Sequence, residues 1–129
     1  MSPWIGGAGL ILYSGFILYI SSLPQSSLPH IFISDKLVHF LIYFILGIIF
    51  ANFLNSLKKP GVFLLAGATL FFVTLYGTLN EIYQTLIPGR SFDKLDILAD
   101  IIGGTLGGSA YLIVNYLVLR NSIVGDRQQ

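Results

Sequence analysis

The apolar and polar positions of this chain alternate in long blocks. Trp4 to Ser21 carries no charge, and Leu37 to Leu57 carries a single titratable residue, His39. Gly61 to Asn80 runs unbroken into Glu81, and Ile101 to Leu119 starts directly after Asp100. A helix needs roughly 20 mostly apolar residues to cross the hydrocarbon core of a bilayer, and all four blocks meet that demand. Polar punctuation separates them. "SSLPQSSLPH" holds two prolines and four serines and reads as a loop. "NSLKKPG" is a tight connection, with Pro60 suited to the first turn of the next helix. In "LIPGRSFD", Pro88 and Gly89 mark a turn, and Ser91 or Asp93 is placed to cap the fourth helix. The pattern predicts helices over about 4–21, 37–57, 61–84 and 94–119 in one domain spanning 1–129. The expected fold is all-α, a polytopic four-helix transmembrane bundle. "MSPWIGG" lacks the basic start of a secretory signal, so the first block is read as a crossing.

Composition agrees with the pattern. Of 129 residues, 54% are hydrophobic and 10% charged, against about 25% charged in soluble domains. Too few polar groups are present to cover a soluble surface, and the expected partner is the lipid bilayer. A formal charge of +1 gives no reason to expect nucleic acid. With no cysteine, disulfides, zinc–thiolate sites and thiol nucleophiles are excluded.

Lys and Arg in the loops set orientation. Lys58, Lys59, Arg120 and Arg127 share one side, which is then cytoplasmic together with both termini. Lys36, Arg90 and Lys94 fall on the other side, so the vote is four bases against three. Asp35, Glu81, Asp93, Asp96, Asp100 and both histidines lie on that second, extracytoplasmic side.

A helix turns about 100° per residue. On the fourth helix, Asp93, Asp96, Asp100, Gly103, Gly104, Gly107 and Gly108 share an arc of about 140°. Small residues at this spacing let helices pack closely in lipid, so the acids are expected to face the bundle. That glycine face is also suited to homo-oligomer contacts. On the third helix, Thr74, Gly77, Thr78, Glu81 and Gln84 cluster, with Gly67 further along. On the second, Asp35, Lys36, His39 and Tyr43 do the same, Asp35 and His39 being one turn apart. Ionisable groups at membrane depth are costly and face a cavity or one another. The three stripes are therefore expected to join in one outward polar pocket. Against this stands a plainer reading, in which Asp35, Lys36 and Lys94 sit among lipid head groups, Asp93 only caps a helix and His30 is an exposed loop residue.

"DKLVHFLIYFILG" followed by "NEIYQTLIPGRSFDKLDILADIIGG" resembles the VanZ-like membrane protein family. The resemblance is carried by Asp35, Lys36, His39 and Phe40; Glu81 and Gln84; Pro88 and Arg90; and Asp96, Ala99, Asp100 and Gly103. Asp100 stands where the family usually has Asn, which adds a potential charge to the pocket. The resemblance implies a small multi-pass protein of the bacterial cytoplasmic membrane, associated with low-level teicoplanin resistance.

Four functions compete. In the first, a non-catalytic pocket binds the head group of a cell-envelope lipid or glycan precursor or a lipoglycopeptide. Its ligand set is Asp35, Lys36, His39, Glu81, Gln84, Arg90, Asp96 and Asp100, with Lys36 and Arg90 on the anion. In the second, the chain is a membrane-embedded hydrolase or transferase acting on a lipid phosphate or ester. His39, Glu81, Asp96 and Asp100 then supply catalytic groups or hold a divalent metal, which the sequence does not require; a metal-free version has His39 as general base oriented by Asp35. The third is an ion-coupled transporter, although four helices show no internal repeat. In the fourth, the acids only stabilise an oligomer-forming bundle.

Overall fold

The computed structural model describes residues 2–27 and 34–126, so His30 and Arg127 lie outside the described residues. Four long helices make up the fold: α1 (Pro3–Ser21), α2 (Asp35–Lys58), α3 (Val62–Gln84) and α4 (Lys94–Asp126). A short 3-10 turn, Gln25–Ser27, follows α1. Each long helix contains a stretch long and apolar enough to cross a bilayer. The protein is all-α and membrane-embedded.

Local chemistry sets the helix ends. Pro3 opens α1, where its missing N–H is no loss. The Ser34 hydroxyl caps α2 by accepting from the Leu37 N–H at 3.2 Å. Asp93 caps α4 by accepting from the Leu95 N–H at 2.8 Å. Pro60 does not enter the first turn of α3; it precedes the N-cap residue, Gly61. Between α3 and α4, Gly89 has φ 79° and the Arg90 N–H closes the turn on the Ile87 carbonyl at 3.1 Å. Positive φ here needs glycine. The fourth helix continues past Leu119 to Asp126. Nothing in "NSIVG" breaks a helix before Gly125, so α4 outruns its expected end near residue 119.

The broadest contact in the bundle is between α2 and α4. Backbone meets backbone there. A Cβ on Gly47 would overlap the Gly104 carbonyl, and one on Gly103 or Gly107 would overlap the Phe40 or Phe44 carbonyl. Gly104 and Gly108 face α3: a Cβ on Gly104 would press on Val73, and one on Gly108 would come within 2.8 Å of Thr69 Cγ2. The glycine face of α4 is thus divided between α2 and α3 inside one chain. The face expected to suit homo-oligomer contacts is therefore spent on packing within the chain. Gly67, placed near the polar stripe of α3, is exposed and touches nothing.

Side chains fill the remaining seams. Ile17, Tyr43, Leu46 and Val73 form the buried core. Phe50 and Phe72 stack at 4.2 Å between α2 and α3. The Tyr13 hydroxyl donates to the Ile42 carbonyl at 3.0 Å, and the Tyr76 hydroxyl to the Ser14 carbonyl at 2.6 Å, tying α1 to its neighbours. Outward positions such as Trp4, Leu12, Phe63, Phe71 and Ile113 are exposed and apolar, which suits contact with lipid.

Replacing Gly107 with Leu should destabilise the bundle by about 3 kcal/mol or more, since the new atoms meet backbone that has no rotamer to change. Gly9→Ala, in open space, is the control. Thermal unfolding in detergent checks the pair: near-native melting of Gly107→Leu would contradict the close α2–α4 contact.

Candidate functional site

The polar cluster sits where the start of α2, the end of α3 and the start of α4 meet. Asp35, Lys36 and His39 occupy the first turns of α2, and Asp96 and Asp100 face them from α4. Glu81 arrives from α3. Burial is severe for such groups: Glu81 is 1% exposed, Asp100 0%, Asp96 5% and His39 8%. An ionised carboxylate in such surroundings is costly unless paired and hydrogen-bonded.

His39 joins the two acids of α4. Its Nδ1 lies 2.9 Å from Asp100 Oδ1, a hydrogen bond within the buried layer. Its Nε2 lies 3.8 Å from Asp96 Oδ2, close enough for charge attraction and too far for a hydrogen bond. The partner that orients His39 is therefore Asp100, which corrects the expectation that Asp35 does so. Asp35 is exposed and stands on the rim. Room for Asp100 comes from Gly77: a Cβ there would lie 2.9 Å from Asp100 Oδ2.

Lys36 bridges α2 to the start of α4. Its ammonium pairs with Asp93, and it meets Asp96 Oδ1 at 2.6 Å as an ion pair off the hydrogen-bonding direction. Glu81 has a different task. Its Oε1 accepts from the Asp93 N–H at 2.6 Å, so a buried α3 carboxylate fixes the entry of α4.

Arg90 and Gln84 form a separate arm. The Arg90 guanidinium donates to Gln84 Oε1 at 3.2 Å and, over longer distances, to the carbonyls of Leu23 at 3.4 Å and Ile20 at 3.5 Å. Gln84 in turn donates to the Ser21 hydroxyl at 3.3 Å. These contacts hold the α3–α4 turn onto the end of α1.

Among the described residues, the buried oxygens of this region without a hydrogen-bond partner include Asn80 Oδ1, Glu81 Oε2, Asp96 Oδ1 and Asp100 Oδ2. Sequence reasoning misses Asn80 and Ser21. An amide inside an apolar run is the available signal for Asn80; Ser21 offers none, as the last residue of an apolar block. Among the described residues, the set whose ligand atoms come within 4.8 Å of one another is Asp35, His39 and Asp96. Glu81 and Asp100, the other expected metal candidates, each spend one oxygen on a protein partner.

Asp93 lies between the spans. The Lys36 ammonium bonded to it holds its carboxyl below the usual carboxylate range. A depressed folded-state value stabilises above the unfolded value, and that stability is lost as pH falls through the depressed one. Asp93→Asn keeps a capping oxygen and removes the charge. It should melt below wild type at neutral pH, and the two curves should converge as acid neutralises Asp93. A gap independent of pH would show that the ion pair adds nothing.

An uncharacterised protein of the fission yeast Schizosaccharomyces pombe is 27% identical over 121 residues, which cover 93% of this chain and 66% of that protein. The chain thus spans just under two-thirds of that relative's length. No solved structure matches the chain. Residues 9–115 match the VanZ/LLP1 family, a stretch that runs from α1 through the whole polar cluster and well into α4, so the chain belongs to the VanZ/LLP1 family.

Proposed function

We propose that the cluster around His39 acts on the phosphate-bearing head group of a lipid, hydrolysing a phosphate ester or anhydride at the membrane surface. The observation that carries this reading is the His39–Asp100 pair. A fully buried carboxylate holds one imidazole nitrogen at 2.9 Å, and the other nitrogen has only a distant carboxylate before it. This is the arrangement of a general base fixed in tautomer and orientation, whose cationic form the acid would stabilise.

In the reaction, Nε2 takes a proton from water as the water oxygen attacks phosphorus. The P–O bond to the leaving group breaks, and the proton returns to the departing oxygen. Lys36, half-exposed at the rim, has three donors and turns one toward the phosphate. Asp35, His39 and Asp96 also form an oxygen–nitrogen donor set suited to a hard divalent cation. Lys36 already supplies positive charge to Asp96, so the metal-free form is preferred. The loop bases of the sequence, four against three, support an extracytoplasmic position for the cluster, where a lipid-linked envelope precursor is the expected substrate. A link to glycopeptide resistance would follow from altered supply of that precursor.

A non-catalytic pocket is the second reading, favoured by the absence of a compact hydrolase motif. The contacts of one of its two expected anion ligands weigh against it: the Arg90 guanidinium engages Gln84 and two carbonyls within the protein.

The test is phosphate release from polyprenyl monophosphate and diphosphate by the purified protein in liposomes. Wild type should turn over at least one of them. His39→Gln should lose about a hundredfold or more while melting near wild type, and chelator should leave the rate unchanged. Saturable binding without turnover would favour the pocket reading, and loss in chelator restored by a divalent ion would favour the metal form.

A further inference from the structure

A second polar site lies at the other end of the bundle. Asn52, Asn55, Ser56 and Lys59 from the end of α2 face Tyr111 and Asn115 of α4 across a cleft of about 400 Å³. It is roughly 24 Å along α2 from His39, at 1.5 Å per residue. Among the described residues, none lining this cleft is a carboxylate, whereas the His39 cluster is built from them.

The donors and acceptors of the cleft are arranged for a ligand of mixed character. The Asn55 amide donates to the Tyr111 hydroxyl oxygen at 3.0 Å, which leaves the Tyr111 proton to donate elsewhere. The Ser56 hydroxyl donates to the Phe53 carbonyl at 2.7 Å, which leaves its lone pairs to accept. Lys59 caps α2 in the left-handed conformation, φ 44°, a strained place for a residue with a side chain. It is exposed and brings an ammonium to the rim. The last carbonyls of a helix lack intrahelical partners, and the Lys59 N–H satisfies that of Asn55 alone, which leaves acceptors at the end of α2. Lys59 and Tyr111 thus offer donors for an anion, while Ser56 and the helix end offer acceptors for hydroxyls.

We propose that this cleft binds an anionic phospholipid whose head group carries free hydroxyls, with phosphate at Lys59 and Tyr111 and hydroxyls at Ser56 and the end of α2. Phosphatidylglycerol is the simplest such lipid. The site is independent of the reading given to His39. Its position beside Lys58 and Lys59, in the chain segment that carries the basic vote, places it in the head-group layer of the opposite leaflet.

Native mass spectrometry of the full chain, released from detergent with added phosphatidylglycerol or phosphatidylcholine, tests this. Wild type should retain phosphatidylglycerol in preference to phosphatidylcholine. Lys59→Gln and Tyr111→Phe should each weaken that retention, Lys59→Gln by about tenfold, equivalent to the loss of one charged contact. Lys94→Gln, at the far end, should behave as wild type. Equal retention of the two lipids, or unchanged retention in both cleft variants, would overturn the proposal. Soluble glycerol phosphate should not displace the lipid; displacement at similar concentration would overturn the assignment to a lipid.

Discussion

The contact of the α2 and α4 backbones is the constraint on which the rest of the structure depends. Without a hydrophobic drive between helices in lipid, close packing has to supply the attraction. Gly47, Gly103 and Gly107 allow it by removing the side chains that would hold the helices apart. The same seam positions the chemistry. Phe40, whose carbonyl abuts Gly103, adjoins His39 in the chain, and Asp100 lies one turn before Gly103 and Gly104. Bringing the backbones together brings His39 and Asp100 to 2.9 Å. Packing and site are one feature, and α3 joins it through Gly77, whose lack of a side chain admits Asp100.

Charge is handled in tiers. Lys36 spans Asp93 and Asp96 at the half-exposed edge, His39 engages Asp96 and Asp100 deeper in, and Glu81 turns one oxygen to the backbone at the start of α4. Each carboxylate has at least one partner, yet Glu81 and Asp100 keep a second oxygen without one among the described residues. A network serving stability alone would be expected to use those oxygens. Those two oxygens without partners are what make the cluster read as a site.

Much of this is legible from periodicity. Asp35 and His39 at one-turn spacing, and Asp96 and Asp100 likewise, have to share helix faces, and the glycines after Asp100 aim the acids of α4 inward. Which acid meets which base is not legible, because it depends on relative rotation and depth of separate helices. Hence Asp100 and not Asp35 orients His39, and Glu81 holds a backbone N–H. Arg90 reads as an anion binder from its type, but the turn at Gly89 lays it against carbonyls at the end of α1. The cleft around Asn55 and Tyr111 gives no sequence signal because neutral amides near a helix end resemble ordinary interface residues. The length of α4 exceeds the expectation because hydropathy marks where a helix leaves the bilayer, while the helix itself stops only at a backbone signal.

The central claim is that His39 and Asp100 work as one unit on a lipid phosphate. A double-mutant cycle on turnover measures this most directly, using His39→Gln, Asp100→Asn and the combination. Residues that act together show strongly non-additive losses. The account predicts that the double variant is no slower than His39→Gln alone. Losses that multiply, as for independent residues, would contradict it.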